Sequence, residues 1–204
     1  MMQDWIGGGR PFRLFVSGLH GKEHEVTDPI LWEFSERVSK KNLKGSLVLH
    51  SLGREDREYV STLDNEYWNT KTGKELLQIV EKYQPTIYLE LHSYSDPSKL
   101  TNPDRIDKKG VPPLIELETG ILAGSVSPRL RRDKFRKEDF CFLLEIPRDK
   151  GHCEEIYEIL KIIGQGMDRE DIVEDLKEKF PTQMKKSKKY YELFYEENLS
   201  VPAY

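Results

Sequence analysis

The sequence predicts an α/β domain, with helices layered against a mixed, mostly parallel sheet, and three observations predict it. Short apolar runs recur along the 204 residues, at residues 13–18, 46–50, 86–92 and 140–146. Segments with apolar residues at helical spacing lie between and after them, and strands that alternate with helices build parallel sheets. A chain of this length forms one domain around one substantial core, and no internal repeat or low-complexity block divides it.

Residues 13–18 (RLFVSG) are an apolar run closed by glycine and read as a buried strand. The chain passes through Leu19, His20 and Gly21 into a segment where Val26, Ile30, Leu31, Phe34 and Val38 share one helical face. Residues 46–50 (SLVLH) are a second strand, and residues 51–72, polar and charged, read as a long functional loop. Residues 74–83 have helical spacing and Pro85 stops them, since proline brings no N–H and clashes with the preceding turn. Residues 86–92 (TIYLELH) are the third strand, followed over 93–113 by a loop rich in Asp, Pro, Asn and Lys. Residues 114–119 read as a strand and 120–128 as a turn-rich stretch. The most apolar strand is 140–146 (FCFLLEI), closed by Pro147. Helical spacing returns over 154–163 and 169–179, Pro181 breaks it, and one more helix is predicted over 186–196. Residues 167–204 are thus a C-terminal helical extension of a single domain spanning 1–204.

Charged residues make up 33% of the chain and hydrophobic ones 37%, which describes a globular protein with a heavily charged surface. A net charge of -4 argues against a nucleic-acid partner, which a basic surface would normally announce. Basic clusters at 129–136 and 185–189 are interrupted or followed by acids and read as solvated faces. The two cysteines, Cys141 and Cys153, form no CxxC pair or disulfide framework and read as reduced thiols of a cytoplasmic protein. Residues 1–12 lack the apolar run of a signal peptide and nothing later approaches a membrane span, so no membrane partner is expected.

The chemistry centres on residues 18–23 (GLHGKE). A histidine and a carboxylate three residues apart, just after a strand and at the start of a helix, are able to point at one ion. Zinc accepts imidazole nitrogen and carboxylate oxygen, and a catalytic site needs three protein ligands with one position left open. His92 is the natural third ligand, because ligands gather at the carboxyl ends of strands in an open α/β sheet. His20, Glu23 and His92 are therefore predicted to hold zinc. Plainer readings stand beside this one: His20 as a helix cap, Glu23 as a first-turn acid favoured by the helix dipole, His92 as a satisfied core histidine. His24 completes an HxxEH pattern, which works inside a helix where both histidines share a face. The glycines around His20 place it outside a helix, so His24 reads as exposed or as supporting a ligand. His50 and His152 read as surface or packing residues.

Residues 18–23 resemble the metal-binding loop of the zinc carboxypeptidases and of the related aspartoacylase and succinylglutamate desuccinylase enzymes. Residues 91–95 (LHSYS) are similar to the segment carrying their third ligand, and 144–147 (LEIP) to the strand carrying their catalytic glutamate. The matches keep the family's order over residues 13–151, and the chain reads as an archaeal branch of that superfamily. The resemblance implies a three-layer α/β/α fold, a zinc cofactor, and hydrolysis of an amide in a peptide or N-acyl amino acid-like substrate. Glu145 would be the general base, taking a proton from water and passing it to the leaving amine. A structural role for Glu145, paired with Arg148 or a lysine, is the duller reading, since a buried acid needs a partner. Glu118 is a rival base, and the LEIP context favours Glu145. Arg57 matches the arginine that meets the developing oxyanion, and Asn65 matches the family's asparagine. Tyr94 is implied to line the cleft and Ser93 to orient ligand or substrate. Residues 123–127 (AGSVS) match a small-residue turn leading to substrate contacts.

One departure stands out. Glu66 occupies the place of the arginine that grips the substrate carboxylate, and a glutamate there would repel that group. Three explanations are open: a substrate neutral or cationic at that point, replacement by Arg54, Arg131 or Arg132, or a rearranged loop with Glu66 on the surface. The expected function is a zinc-dependent amide hydrolase acting on a peptide or small molecule. The alternative is a metal-binding, catalytically silent interaction protein on the same fold, because fold alone does not decide function.

Overall fold

The computed structural model describes residues 2–38, 43–52, 59–149 and 153–195. Along the chain run β1 (Met2–Gly8), β2 (Phe12–Ser17), α1 (His24–Arg37), β3 (Gly45–Ser51), a 3-10 turn (Asn65–Asn69), α2 (Lys71–Tyr83) and β4 (Ile87–Tyr94). Two short helices, α3 (Ser98–Thr101) and α4 (Arg105–Lys109), lead to β5 (Ile115–Glu118), β6 (Ile121–Gly124), α5 (Pro128–Lys134) and β7 (Phe140–Pro147). The chain closes with α6 (Glu154–Gln165), α7 (Arg169–Lys179) and α8 (Pro181–Tyr195).

The strands form one seven-stranded mixed sheet in the order β1-β3-β2-β4-β7-β6-β5. Its centre, β3-β2-β4-β7, is parallel; β1 pairs antiparallel with β3 on one side, and on the other β6 pairs antiparallel with β7 and β5 antiparallel with β6. Central parallel strands are covered on both faces, which is why their sequences are almost continuously apolar. The two-residue period of a strand sorts their side chains. Ile87, Leu89 and Leu91 of β4 join a core with Ile30 and Phe34 of α1, Ile159 and Ile163 of α6, and Leu176 of α7. Tyr88 joins the opposite core, with Leu76 and Val80 of α2 and Leu130 of α5. The result is three layers, as the sequence predicts.

From β2 the chain goes by way of α1 to β3 on one side, then by way of α2 to β4 on the other. The connections therefore diverge at β2, and the carboxyl ends of β2 and β4 flank a topological switch point, the place where α/β sheets form a ligand-binding crevice. His20 follows β2 and His92 lies near the end of β4.

Several expectations are corrected. Residues 2–8 carried no strand signal, yet β1 pairs with β3 over its whole length. The supposed turn-rich stretch contains β6, whose Leu122 stands opposite Glu145. The helical run does break before Pro181, where α7 ends at Lys179, but the last helix opens at Pro181 rather than at residue 186, because the first helical position needs no N–H. The basic stretch at 129–136 is not wholly a solvated face. Arg131 is buried, and it donates to the carbonyls of Arg136 (2.6 Å), Lys137 (3.1 Å) and Asp139 (3.3 Å). Among the described residues no helix is long and apolar enough to cross a membrane.

Asp28 fixes α1 to the sheet. Its carboxylate is buried and accepts hydrogen bonds from Ser17 on β2 (2.6 Å) and Ser51 on β3 (2.7 Å). Asp28→Ala would strip the shared acceptor from two buried hydroxyls at once and is expected to cost about 3 kcal/mol. Denaturant unfolding checks this, and an unmoved midpoint would show that the hydroxyls find acceptors elsewhere.

Candidate metal centre

The loop after β2 is built to hold one histidine in place. Gly18 and Gly21 on either side of it have φ of 68° and 56°, a left-handed backbone that costs glycine least. A Cβ on Gly18 would also sit 3.1 Å from the Leu52 carbonyl oxygen. Tyr67 donates to the Leu19 carbonyl (3.0 Å), and Thr27 donates to the Glu23 carbonyl (2.9 Å) while accepting from the Gly18 N–H (3.2 Å). Glu23 is the N-cap of α1, where the helix dipole favours a carboxylate.

His20, Glu23 and His92 meet in the crevice, all three buried. Their ligand atoms lie within 4.8 Å of one another. Glu23 divides its carboxylate, with Oε1 3.3 Å from His20 Nδ1 and Oε2 3.3 Å from His92 Nδ1. Oε1 also accepts from the Ser93 N–H (3.2 Å). His20 Nδ1, Glu23 Oε2 and His92 Nδ1 have no hydrogen-bond partner among the described residues, although all are buried. Buried polar atoms are ordinarily paired, so three converging orphans form a donor set that fits a cation. Ligands about 2.0–2.1 Å from a tetrahedral zinc lie about 3.3 Å apart. Each histidine nitrogen stands at that distance from a different oxygen of Glu23, while the set as a whole is open to within 4.8 Å and would have to draw in around an ion.

The far side of His92 is occupied. Its Nε2 lies 3.2 Å from Glu90 Oε2, and Tyr88 donates to Glu90 Oε1 at 2.9 Å. Glu145 stands beside His92 as its register partner on β7 and is half-buried. Burial, against the opposing pull of Glu23, lowers His20 to about pKa 4, so its ring is neutral at physiological pH and carries a free lone pair. Burial would lower His92 as well, but the neighbouring carboxylates of Glu23 and Glu90 outweigh it and hold the ring well above its ordinary value. Burial raises Glu145 to about 7, with His92 pulling down and Glu23 pushing up. A carboxyl group poised near neutrality suits proton transfer.

The remaining sequence-predicted residues divide. Ser93 is buried against the cluster, its backbone on Glu23 and its hydroxyl accepting from Arg148 Nε at 3.3 Å. Arg148 therefore bonds Ser93 rather than serving as a described partner of Glu145. Tyr94 lies on β4 beyond His92, and its hydroxyl donates to the Gly120 carbonyl at 2.6 Å. Asn65 and Glu66 stand exposed on the 3-10 turn, whose buried members are Tyr67 and Trp68. Glu66 is thus on the surface, one of the three explanations left open for it. Arg131 is engaged by carbonyls, as described above. Arg54, Arg57 and His152 lie outside the described residues. His24 opens α1, one turn past His20, and takes no part in the cluster. His50 is buried rather than exposed, 2.9 Å from Glu75. Glu118 points to solvent on β5, so of the two rival bases Glu145 is the one beside the cluster.

Three residues at the site had gone unread. Glu90 was legible: it sits two residues from Tyr88 and from His92, and so shares their face of the strand. The ring of Tyr59 stands edge-on to His20, 4.5 Å between centroids. Arg105 donates to the Pro112 carbonyl at 3.1 Å; burial lowers its pKa while Glu145 and Tyr59 act to raise it. Neither Tyr59 nor Arg105 belongs to a pattern that sequence alone could read.

Fold and site together define an α/β protein with a buried cluster of two histidines and a glutamate at the carboxyl edge of its sheet. The chain belongs to the family described as an uncharacterised protein conserved in archaea, DUF2119, which matches residues 8–196. It is 41% identical over 186 residues to the uncharacterised protein MJ0501 of Methanocaldococcus jannaschii, covering 87% of this chain and 90% of that one. No solved structure matches it.

Proposed function

We propose that the protein is a zinc-dependent hydrolase cleaving an amide bond in a peptide or N-acyl amino acid-like substrate. This is the chemistry of the zinc carboxypeptidases and aspartoacylases that its motifs resemble. The observation that carries the reading is the convergence of three orphaned donor atoms next to Glu145. His20, Glu23 and His92 would hold the metal. A zinc ion bound there supplies Lewis acidity toward the substrate carbonyl and eases ionisation of the attacking water.

The protein's own residues supply the rest. Glu145 lies on the same face of the sheet as His92 and in register with it, so a water between them is within its reach. It takes that water's proton and returns it to the amine nitrogen as the C–N bond breaks. Arg57 is assigned to the oxyanion by its motif alone. Glu66 stands exposed on the 3-10 turn, so this reading gives it no part in holding the substrate.

The test is a panel of peptides and N-acyl amino acids offered to the zinc-loaded protein. Turnover is expected on some members, lost on chelation and restored by zinc. Zinc bound stoichiometrically with no turnover across the panel would overturn the hydrolase reading and favour a metal-binding interaction protein.

A further inference from the structure

Glu90 is an unusual residue for its position. It lies in the middle of β4, in register with Val16 of β2 and Leu143 of β7, and is 1% exposed. Packing alone would favour an apolar side chain there, because a buried carboxylate loses its hydration and must recover it from specific partners. Among the described residues Glu90 has two, and they lie to either side of it along the same strand face. Tyr88 donates to Oε1 at 2.9 Å, and His92 Nε2 lies 3.2 Å from Oε2. The tyrosine holds the carboxylate and the carboxylate holds the imidazole. A neutral ring with its proton on Nε2, directed at Glu90, would present Nδ1 as a ligand, and that atom is one of the three orphans facing Glu23.

We infer that Glu90, braced by Tyr88, is a positioning residue for His92 and sets how tightly the cluster holds a divalent cation. This rests on the reading of His20, Glu23 and His92 as a metal site. Two physical effects follow. The hydrogen bond fixes the ring's orientation and tautomer, so no rotational freedom is lost when the cation binds, and it makes the ligating nitrogen a better donor. Glu90 also puts a second acidic side chain beside the one from Glu23, where it would offset the charge of a divalent ion held by the two imidazoles. Without Glu90 the same ion would leave an uncompensated positive charge in a buried site.

The experiment compares wild type with Glu90→Gln, Glu90→Leu and Tyr88→Phe. Zinc dissociation constants come from competition with a chromophoric chelator, and cobalt substitution reports ligand geometry through its visible bands. Glu90→Gln keeps an acceptor but loses the charge and is expected to weaken zinc binding about 10-fold; Glu90→Leu loses both, for about 100-fold. Tyr88→Phe should fall between wild type and Glu90→Gln, with shifted cobalt bands. A purely structural Glu90 would lower the melting temperature of the variants and leave the zinc constant and cobalt spectrum at their wild-type values, which would overturn the inference. If Glu90→Leu does not fold, Glu90→Gln decides, because it matches the native side chain in size. Wild type that binds no zinc would instead overturn the metal site itself, and the inference with it.

Discussion

Glu145→Gln is expected to reduce kcat by about 10²–10⁴ while the zinc content of the protein is unchanged. The substitution keeps size and shape, so the contacts of β7 with β4 and β6 survive; it removes the carboxylate to which this reading assigns the proton transfer. Burial already holds the native carboxyl at about 7, so at neutral pH it passes readily between its two protonation states. An amide cannot follow. Loss of turnover must be read beside metal analysis of the same sample, since two explanations otherwise look alike. Zinc retained with turnover lost assigns Glu145 to proton transfer. Zinc lost as well would give it a structural role, and undiminished turnover would remove it from the chemistry. Glu118 could not then take its place, because it faces solvent on β5.

The legible part of the fold follows from where the hydrophobic effect acts locally. The strands β2, β3, β4 and β7 are covered on both faces, so each is a run of apolar residues visible without its neighbours. The strands β1 and β6 are tied to the sheet by partners distant in sequence, β1 by β3 and β6 by β7, although β6 also makes a hairpin with its neighbour β5. Nothing inside MQDWIGG or ILAG announces that pairing. The site shows the same division. His20, Glu23 and His92 were readable because each is tied to a strand end, a position the sequence reveals. Asn65 and Glu66 were placed by letter matching, and the burial in that segment falls instead on Tyr67 and Trp68, one of which anchors the His20 loop through Leu19. Arg105 approaches from α4, inside what read as loop, and only tertiary structure brings it toward Glu145.

The largest expected effect belongs to the ligands themselves. Wild type should carry one equivalent of zinc per chain, and His20→Ala and His92→Ala should each carry none. The argument is geometric: Glu23 faces one histidine with each of its oxygens, 3.3 Å away in both cases, so removing either ring leaves a glutamate and a single imidazole. Two ligands fall short of the three that hold a catalytic zinc. Thermal unfolding supplies a second readout. A ligand at 1,000 times its dissociation constant stabilises the folded state by about 4 kcal/mol. At about 2–4 °C per kcal/mol for a chain of this size, zinc should raise the melting temperature of wild type by about 8–16 °C. Neither histidine variant should respond. His24→Ala is the control, because His24 lies on α1 outside the cluster and its loss should leave both zinc content and thermal response intact. Should His92→Ala keep its zinc while His20→Ala loses it, the ion would belong to the loop alone and the crevice between β2 and β4 would not be the centre. Should wild type neither bind zinc nor respond to it, the three orphaned atoms would be a strained polar core, and the hydrolase proposal would fall with the metal.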